Sequence, residues 1–439
     1  MKTIQINAAD NVAVALQPVA KGEQIETGGR ILEARGEIPQ GHKIAVERIR
    51  SGEQVIKYGF PIGHATEDVE AGSWVHTHNM ATNLEGETEY RYEPDLHPPV
   101  PVEPETFMGY RRRDGRAAIR NEIWVLPTVG CVNDVAKKIA KDNQKLVQGS
   151  IDGLYAFPHP FGCSQTGHDH AQTRKLLAAL ARHPNAGAVL VVGLGCENLT
   201  HEQFLRDLGD YDADRVKFLT CQEVEDEFAE AERLLRECAA HASSFVREPI
   251  PVSELVIGMK CGGGGSDGLS GITANPVVGR FSDMMGARGG STVLTEVPEM
   301  FGAEGFLLNR CAGEAVFEKA VNMINGFKNY FISHKETVYD NPSPGNRQGG
   351  ITTLEDKSCG CVQKGGTAPT LKIASNSRLA EKKKGWIDFD AGPVADGEPV
   401  EDAAGRLLQL VIQVAGGQKT RTEELGFREI SIFKEGITL

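Results

Sequence analysis

Apolar and polar positions along the chain fall into two regimes. In the first 90 residues apolar positions recur in short, roughly alternating runs, which predicts strands over Lys2–Asn7, Val12–Val19, His42–Ile49, Gln54–Tyr58 and Ser73–His78. Turn signals such as Lys21-Gly22-Glu23 and Ser51-Gly52-Glu53 separate them, and no helical period stands out. This reads as a small all-β unit over 1–90. Residues 91–106 are rich in proline and read as an extended linker. From about 107 strand-like and helix-like runs alternate. Strands are expected at Ile123–Pro127, Gly153–Phe157, Ala188–Val192 and Val216–Leu219, with helices at Asn133–Asn143, Ala171–Arg182, Glu202–Leu208 and Glu223–Ala240. Leu255–Met259 and Thr292–Thr295 extend the strand series, and a helix is possible near Ala274–Met285. Such spacing predicts a mostly parallel, Rossmann-like sheet covered on both faces. Beyond about 340 only the strands Leu371–Ala374 and Glu429–Phe433 and the helix Glu401–Ala415 are readable. The expected organisation is therefore a β-domain, a linker, an α/β domain over 107–250 and a C-terminal α/β domain over 251–439.

Charge and composition narrow the possibilities. With 47 basic and 60 acidic residues the net charge is −13, which argues against nucleic acid as a partner. An anionic substrate must then find a local positive site. No apolar run is long enough to predict a membrane span, and the N-terminus lacks the apolar core of a signal peptide. Nine cysteines, an odd number scattered over the chain, do not make a disulfide framework. A reducing, cytoplasmic setting is expected.

The chemistry gathers where strands end. The expected strands run into Cys131, into His159 to Ser164 with Cys163, into Gly193 to Asn198 with Cys196, into Cys221, into Lys260-Cys261, and into Glu296 and Glu299. Ligands of open α/β sheets sit beyond the carboxyl ends of strands. If all these strands share one sheet, thiols and carboxylates meet on one rim. The thiols are then either small buried hydrophobes or ligands, and Cys163 and Cys196 are metal-ligand candidates. Three such thiols could hold an iron–sulfur cluster, although no CxxC spacing is present.

Three other features carry chemistry. The loop Lys260 to Gly268 contains four consecutive glycines and Ser266-Asp267, and it offers backbone N–H groups to a carboxylate. Its spacing fits neither a P-loop nor a dinucleotide fingerprint. His76 and His78 would share one face if their segment is a strand, close enough to bind one divalent ion or one substrate. Arg120-Asn121, just before the first α/β strand, is the best candidate for a bidentate grip on a carboxylate.

At these residues the chain resembles the altronate/galactarate dehydratase family. The resemblance is carried by Tyr58 to His64, Trp74 to Asn79, Gly109 to Arg112, Arg120-Asn121, Lys260-Cys261, Ser266 to Gly268 and Gly271 to Pro276. Leu294 to Glu299, Asn341 to Asn346 and Gly349 to Glu355 add to it. It implies an N-terminal SAF-like domain and loss of water from a sugar acid such as altronate to give a 2-keto-3-deoxy acid. The site set that follows has His64 or Lys260 as base and a divalent ion, Fe²⁺ or Mn²⁺, near His76 and His78. Arg120, Asn121, Ser266, Asp267 and Asn275 would hold the acid. A homo-oligomer is possible. Two departures stand out: four glycines where the family has two, at Gly262 to Gly265, and a stretch of tens of residues missing beside Pro369. Alternatives are a sulfolactate-type carbon–sulfur lyase and a catalytically inactive sugar-acid-binding protein.

Overall fold

The protein is described by a computed structural model covering residues 2–260, 268–361, 366–367 and 370–428. The chain divides into two compact units. One comprises residues 1–103 and 256–410, and the other residues 104–255 and 411–439.

In the second unit, strands Glu122–Pro127, Gly153–Ala156, Ala186–Gly193 and Val216–Thr220 form a four-stranded parallel sheet. Gly153–Ala156 lies at one edge, followed by Glu122–Pro127, Ala186–Gly193 and Val216–Thr220. All six side chains of Glu122–Pro127 are buried, because both faces are covered. Ile123 and Val125 pack with Ala136 and Ile139 of helix Asn133–Asp142 and with Ala231 and Leu235 of helix Glu227–Ser243. Trp124 and Leu126 point the other way, onto Leu177 of helix Gly167–Ala181 and Phe204 of helix His201–Leu208. The side-chain period of two thus divides one strand between two cores. Two of these helices start on side-chain caps: Thr200 accepts from the Gln203 N–H, and Asp226 from those of Phe228 and Ala229. A three-stranded antiparallel ribbon pairs Thr106–Arg111 with Ala117–Ala118 and Arg247–Pro251.

In the first unit, residues 2–83 are strand-rich. Thr3–Ile4, Val12–Ala15, Lys43–Ala45 and Trp74–Val75 form one sheet, and Gln54–Lys57, Phe60–Ala65 and Met80–Ala81 another. Four type II turns punctuate it. In each a backbone N–H reaches back three residues, Glu23 to Ala20, His42 to Pro39, Glu53 to Arg50 and Ser73 to Glu70. The third residue of each turn is a glycine with φ between 81° and 82°, the left-handed geometry this turn requires. Residues 82–105 form no helix or strand. Their extended path is tied down where Tyr92 Oη donates to the Cys311 carbonyl (2.6 Å) and Val102 N–H to that of Ala287 (2.9 Å).

Two expectations are corrected here. Val256–Met259 and Ser291–Leu294 do pair in parallel, but with Gly366–Thr367 in a sheet of their own. The strand-end residues therefore lie on two sheets, not on one rim. The strand expected through His78 stops at Val75, since His76 to Asn79 forms a turn closed by Asn79. The 20-residue helix Glu314–Ser333 was not anticipated, although Phe317, Ile324 and Lys328 mark one buried face. The strand expected at Glu429–Phe433 lies outside the described residues.

Candidate functional site

The chemistry of the first unit gathers around a short loop and helix, Gly349 to Cys361. Its backbone meets the N-terminal β region without side chains in between. A Cβ on Gly350 (φ 99°) would overlap the carbonyl oxygen of Gly41, and one on Gly268 (φ 60°) that of Gly349. Glycine is needed at both positions, for the φ and for the approach. Thr353 starts helix Leu354–Cys361, accepting from the Asp356 N–H (3.2 Å) and donating to the Ile62 carbonyl (2.5 Å). The cap of one segment is thereby anchored to a strand of the other.

Asp356 sits at the centre. Its carboxylate accepts from Lys43 Nζ (2.6 Å), Lys57 Nζ (3.0 Å) and the Thr352 N–H (3.0 Å), and it is shielded from solvent. The two ammonium groups hold its carboxyl far below the usual range against the opposing effect of burial. Burial pushes the Lys43 amine down to about 8, while Asp356 works the other way. Lys43 uses its three donors on Asp356, the Gly350 carbonyl (2.7 Å) and Thr352 Oγ1 (2.7 Å). Thr352 Oγ1 in turn lies 3.2 Å from His76 Nδ1.

His76 belongs to an aromatic cluster at the edge of the β region. Its ring stacks on Trp74 (5.3 Å, 9° between planes) and meets His42 edge-on at 4.9 Å. Burial, with Lys43, His42 and His78 nearby, pushes the His76 imidazole down to about 4, so it is neutral at pH 7. His42 is fully engaged, since Nδ1 accepts from Trp74 Nε1 (3.1 Å) and Nε2 donates to the Gln348 carbonyl (2.9 Å). His78 is exposed, with its ring 5.2 Å from Trp74. The turn thus presents His76 and His78 together, in the geometry of a turn rather than a strand.

His64 reaches the same loop and helix by another route. Its Nδ1 lies 2.9 Å from Asn83 Oδ1, and the Asn83 amide donates to Gln54 Oε1, so the histidine carries its proton on Nδ1. Asn83 N–H and Thr82 Oγ1 both bind the Glu355 carboxylate. Burial raises the Glu355 carboxyl, whereas its neighbour Asp356 is lowered. Lys260 is exposed and pairs with Glu296 (2.9 Å). Lys357 binds Glu299 (2.6 Å) and Asn341 (3.2 Å). Tyr58 leaves room only for a glycine at 271. Asn275 is buried in the first turn of helix Ala274–Ala287. Ser266 and Asp267 lie outside the described residues.

In the second unit, Cys131, Cys163, Cys196 and Cys221 do follow the carboxyl ends of four neighbouring parallel strands. Glu197 organises this rim. Burial raises its carboxyl, but the Thr128 hydroxyl and the Gly195 and Leu194 N–H groups outweigh that and bring it down. Cys196 is exposed, 4.0 Å from Gln222 Nε2, and Cys163 is half-buried beside Ser164 (3.7 Å). Burial raises the Cys221 thiol. Among the described residues, none of these cysteines shares a set of three donors close enough for one ion, and neither His76 nor His78 does.

Arg120 and Asn121 are occupied within the second unit. Arg120 spends its five donors on Glu423 (two bonds of 2.8 Å) and on the carbonyls of Ile119, Val414 and Gln418. Asn121 accepts from Arg112 and donates to the Ser150 and Ala242 carbonyls. Neither has a donor left for a substrate carboxylate, which corrects their expected role. The residues that sequence reasoning missed are Lys43, Lys57, Thr352 and Asp356. For Lys43, Lys57 and Asp356 the only signal was charge within runs that fold into a buried strand or follow the Gly349-Gly350 pair, and Thr352 entered only as part of the Gly349 to Glu355 match.

Fold and site together define an α/β protein in which an N-terminal β region supplies imidazoles and buried lysines to a C-terminal loop and helix. Family comparison agrees segment by segment. Residues 1–83 match the altronate/galactarate dehydratase SAF domain, and residues 109–243 the D-galactarate dehydratase/altronate hydrolase second domain. The D-galactarate/altronate dehydratase C-terminal domain matches in two pieces, 252–370 and 367–438. The chain is 44% identical to altronate dehydratase of Escherichia coli (strain K12), with all of both chains covered, and 44% identical to that of Bacillus subtilis (strain 168), with 99% of each covered. It is 27% identical to galactarate dehydratase (L-threo-forming) of Escherichia coli (strain K12), covering 98% of this chain and 96% of that one. The chain belongs to the altronate/galactarate dehydratase family. The first of these alignments has 497 positions against 439 residues, a difference of 58.

Proposed function

We propose that this protein is a hydro-lyase that removes water from an altronate-like aldonate or aldarate and releases a 2-keto-3-deoxy acid. The observation that carries this reading is convergence. Segments 58–64, 74–79, 271–276, 294–299, 341–346 and 349–355, far apart in the chain, are tied together around Asp356 and Lys357.

In this reaction a base takes the proton from C2, and the 3-hydroxyl leaves with a proton as water. His64 suits the base, because its Nδ1 proton is held by Asn83 and Nε2 keeps its lone pair. Lys260 suits it less, since its amine is already held by Glu296 (2.9 Å). His76 and His78 would hold a divalent ion of the Fe²⁺ or Mn²⁺ kind. Such an ion would supply Lewis-acid stabilisation for negative charge developing beside the carboxylate. The neutral state of His76 at pH 7 supports its use as a ligand. Lys43 fixes Thr352, and Thr352 orients the His76 ring.

No helix among the described residues is long and apolar enough to cross a membrane, and a cytoplasmic sugar-acid enzyme fits this reading. The two-piece match around 367–370 supports a missing internal stretch. Turnover is decided by a keto-acid assay with altronate, galactarate and sulfolactate, run with metal analysis on protein purified with and without air. Product from altronate or galactarate is expected. Thermal stabilisation by these acids without product would replace the lyase reading with that of a binding protein.

A further inference from the structure

The second unit carries a cluster that the reaction does not use. Asp212 and Asp214 lie in the turn leading into strand Val216–Thr220, and His241 lies in the last turn of helix Glu227–Ser243. One donor atom from each lies within 4.8 Å of the others. The turn fixes the acids: the Asp214 N–H binds Asp212 Oδ1 (2.9 Å), and the Arg215 and Val216 N–H groups bind the Asp212 carbonyl.

His241 is the informative member. It is 7% exposed, and neither ring nitrogen has a hydrogen-bond partner. A buried imidazole normally satisfies both nitrogens, so one left bare beside two carboxylates needs a ligand to explain it. Arg113 Nη1 now stands over the acids, 3.0 Å from Asp212 Oδ2 and 3.3 Å from Asp214 Oδ2. Its side chain is 58% exposed, and an exposed pair of this kind contributes little and swings away readily. It shows that the spot attracts a cation, but it leaves both His241 nitrogens bare, whereas one ion could accept from all three residues.

We propose that Asp212, Asp214 and His241 form a binding site for a divalent transition-metal ion, separate from the reaction and tying the end of helix Glu227–Ser243 to the start of strand Val216–Thr220. One imidazole and two carboxylates suit Mn²⁺, Fe²⁺ or Zn²⁺, with water completing the shell. Burial lowers the His241 pKa, which keeps a nitrogen lone pair available at neutral pH.

Mn²⁺ is the probe of choice, because the rim cysteines would capture zinc. The full chain carrying His76→Ala and His78→Ala, stripped with chelator, is titrated with Mn²⁺ and followed by electron paramagnetic resonance. One ion per chain is expected, with nitrogen coupling from an imidazole and a raised thermal midpoint. Adding Asp214→Asn, an exposed change compatible with folding, should weaken binding at least 10-fold. Adding His241→Gln should abolish the nitrogen coupling, and Arg113→Ala should tighten binding. Absence of Mn²⁺ binding, or binding unaltered by Asp214→Asn, overturns the proposal even if His241→Gln fails to fold.

Discussion

Lys43 and Asp356 form an ion pair of 2.6 Å in which both side chains are fully shielded from solvent. Lys57, only 3% exposed, shares the same carboxylate, so two cations depend on one anion. Removing one partner of a buried pair leaves the other charge stranded, which costs roughly 3–5 kcal/mol. Asp356→Ala should therefore lower the unfolding free energy, read from urea denaturation, by an amount in that range, the larger for stranding two ammonium groups. Combining it with Lys43→Met should recover part of the loss, because one stranded charge is then removed.

The Thr352 hydroxyl stands between Lys43 and His76. Thr352→Ser keeps the oxygen and should retain near-normal turnover. Thr352→Val removes it, and by analogy with other groups that orient metal ligands should cost about 10–100-fold in kcat or ion affinity. Equal turnover of the two variants would exclude a positioning role.

His76 titrates at about 4, below the ordinary 6.5. A lowered folded-state pKa means that the unfolded chain binds the proton more readily. Its contribution to stability is fully present above pH 6.5 and is lost as pH falls from there through about 4. The acid limb of ion binding should likewise lie near pH 4. In His76→Ala the thermal midpoint should vary less between pH 4 and 6.5 than in the parent, which paired melting curves will show.

Between the two base candidates the difference should be large. His64→Gln should lower kcat by about 10²–10⁴-fold. Lys260→Met should act mainly through the lost Glu296 pair and change kcat less. The opposite ranking in steady-state kinetics would move the base to Lys260.

Arg120→Ala leaves the buried Glu423 carboxylate with Arg428 (3.2 Å) as its remaining cation, and should destabilise the protein by less than the roughly 3–5 kcal/mol of a charge stranded outright. KM of the folded fraction should stay unchanged. Denaturation and kinetics on one preparation separate the two effects.

Much of the fold was legible because its period was clean. Ile123 and Val125 against Trp124 and Leu126 announce a strand covered on both sides, and the sequence boundaries of the four parallel strands fall within two residues of those observed. The sheet membership of Val256–Met259 was not legible, because no local pattern says which strand a strand will join. His76 and His78 were found through spacing, yet Asn79 turns the chain there by a side-chain bond that alternation cannot reveal. Arg120 looked like a ligand grip because its partner Glu423 lies 303 residues away. Lys43 and Asp356 went unnoticed for the same reason.

That distance also sets an order of events during synthesis. Lys43 and its counter-ion are separated by 313 residues, so the β region leaves the ribosome long before Asp356 exists. At about 5–20 residues per second the wait is roughly 15–60 s. During that interval the nascent β region cannot bury Lys43 and Lys57 beside their anion, and its contact face remains open to solvent or to a chaperone. The N-terminal fifth of the chain is thus translated first and completed only late.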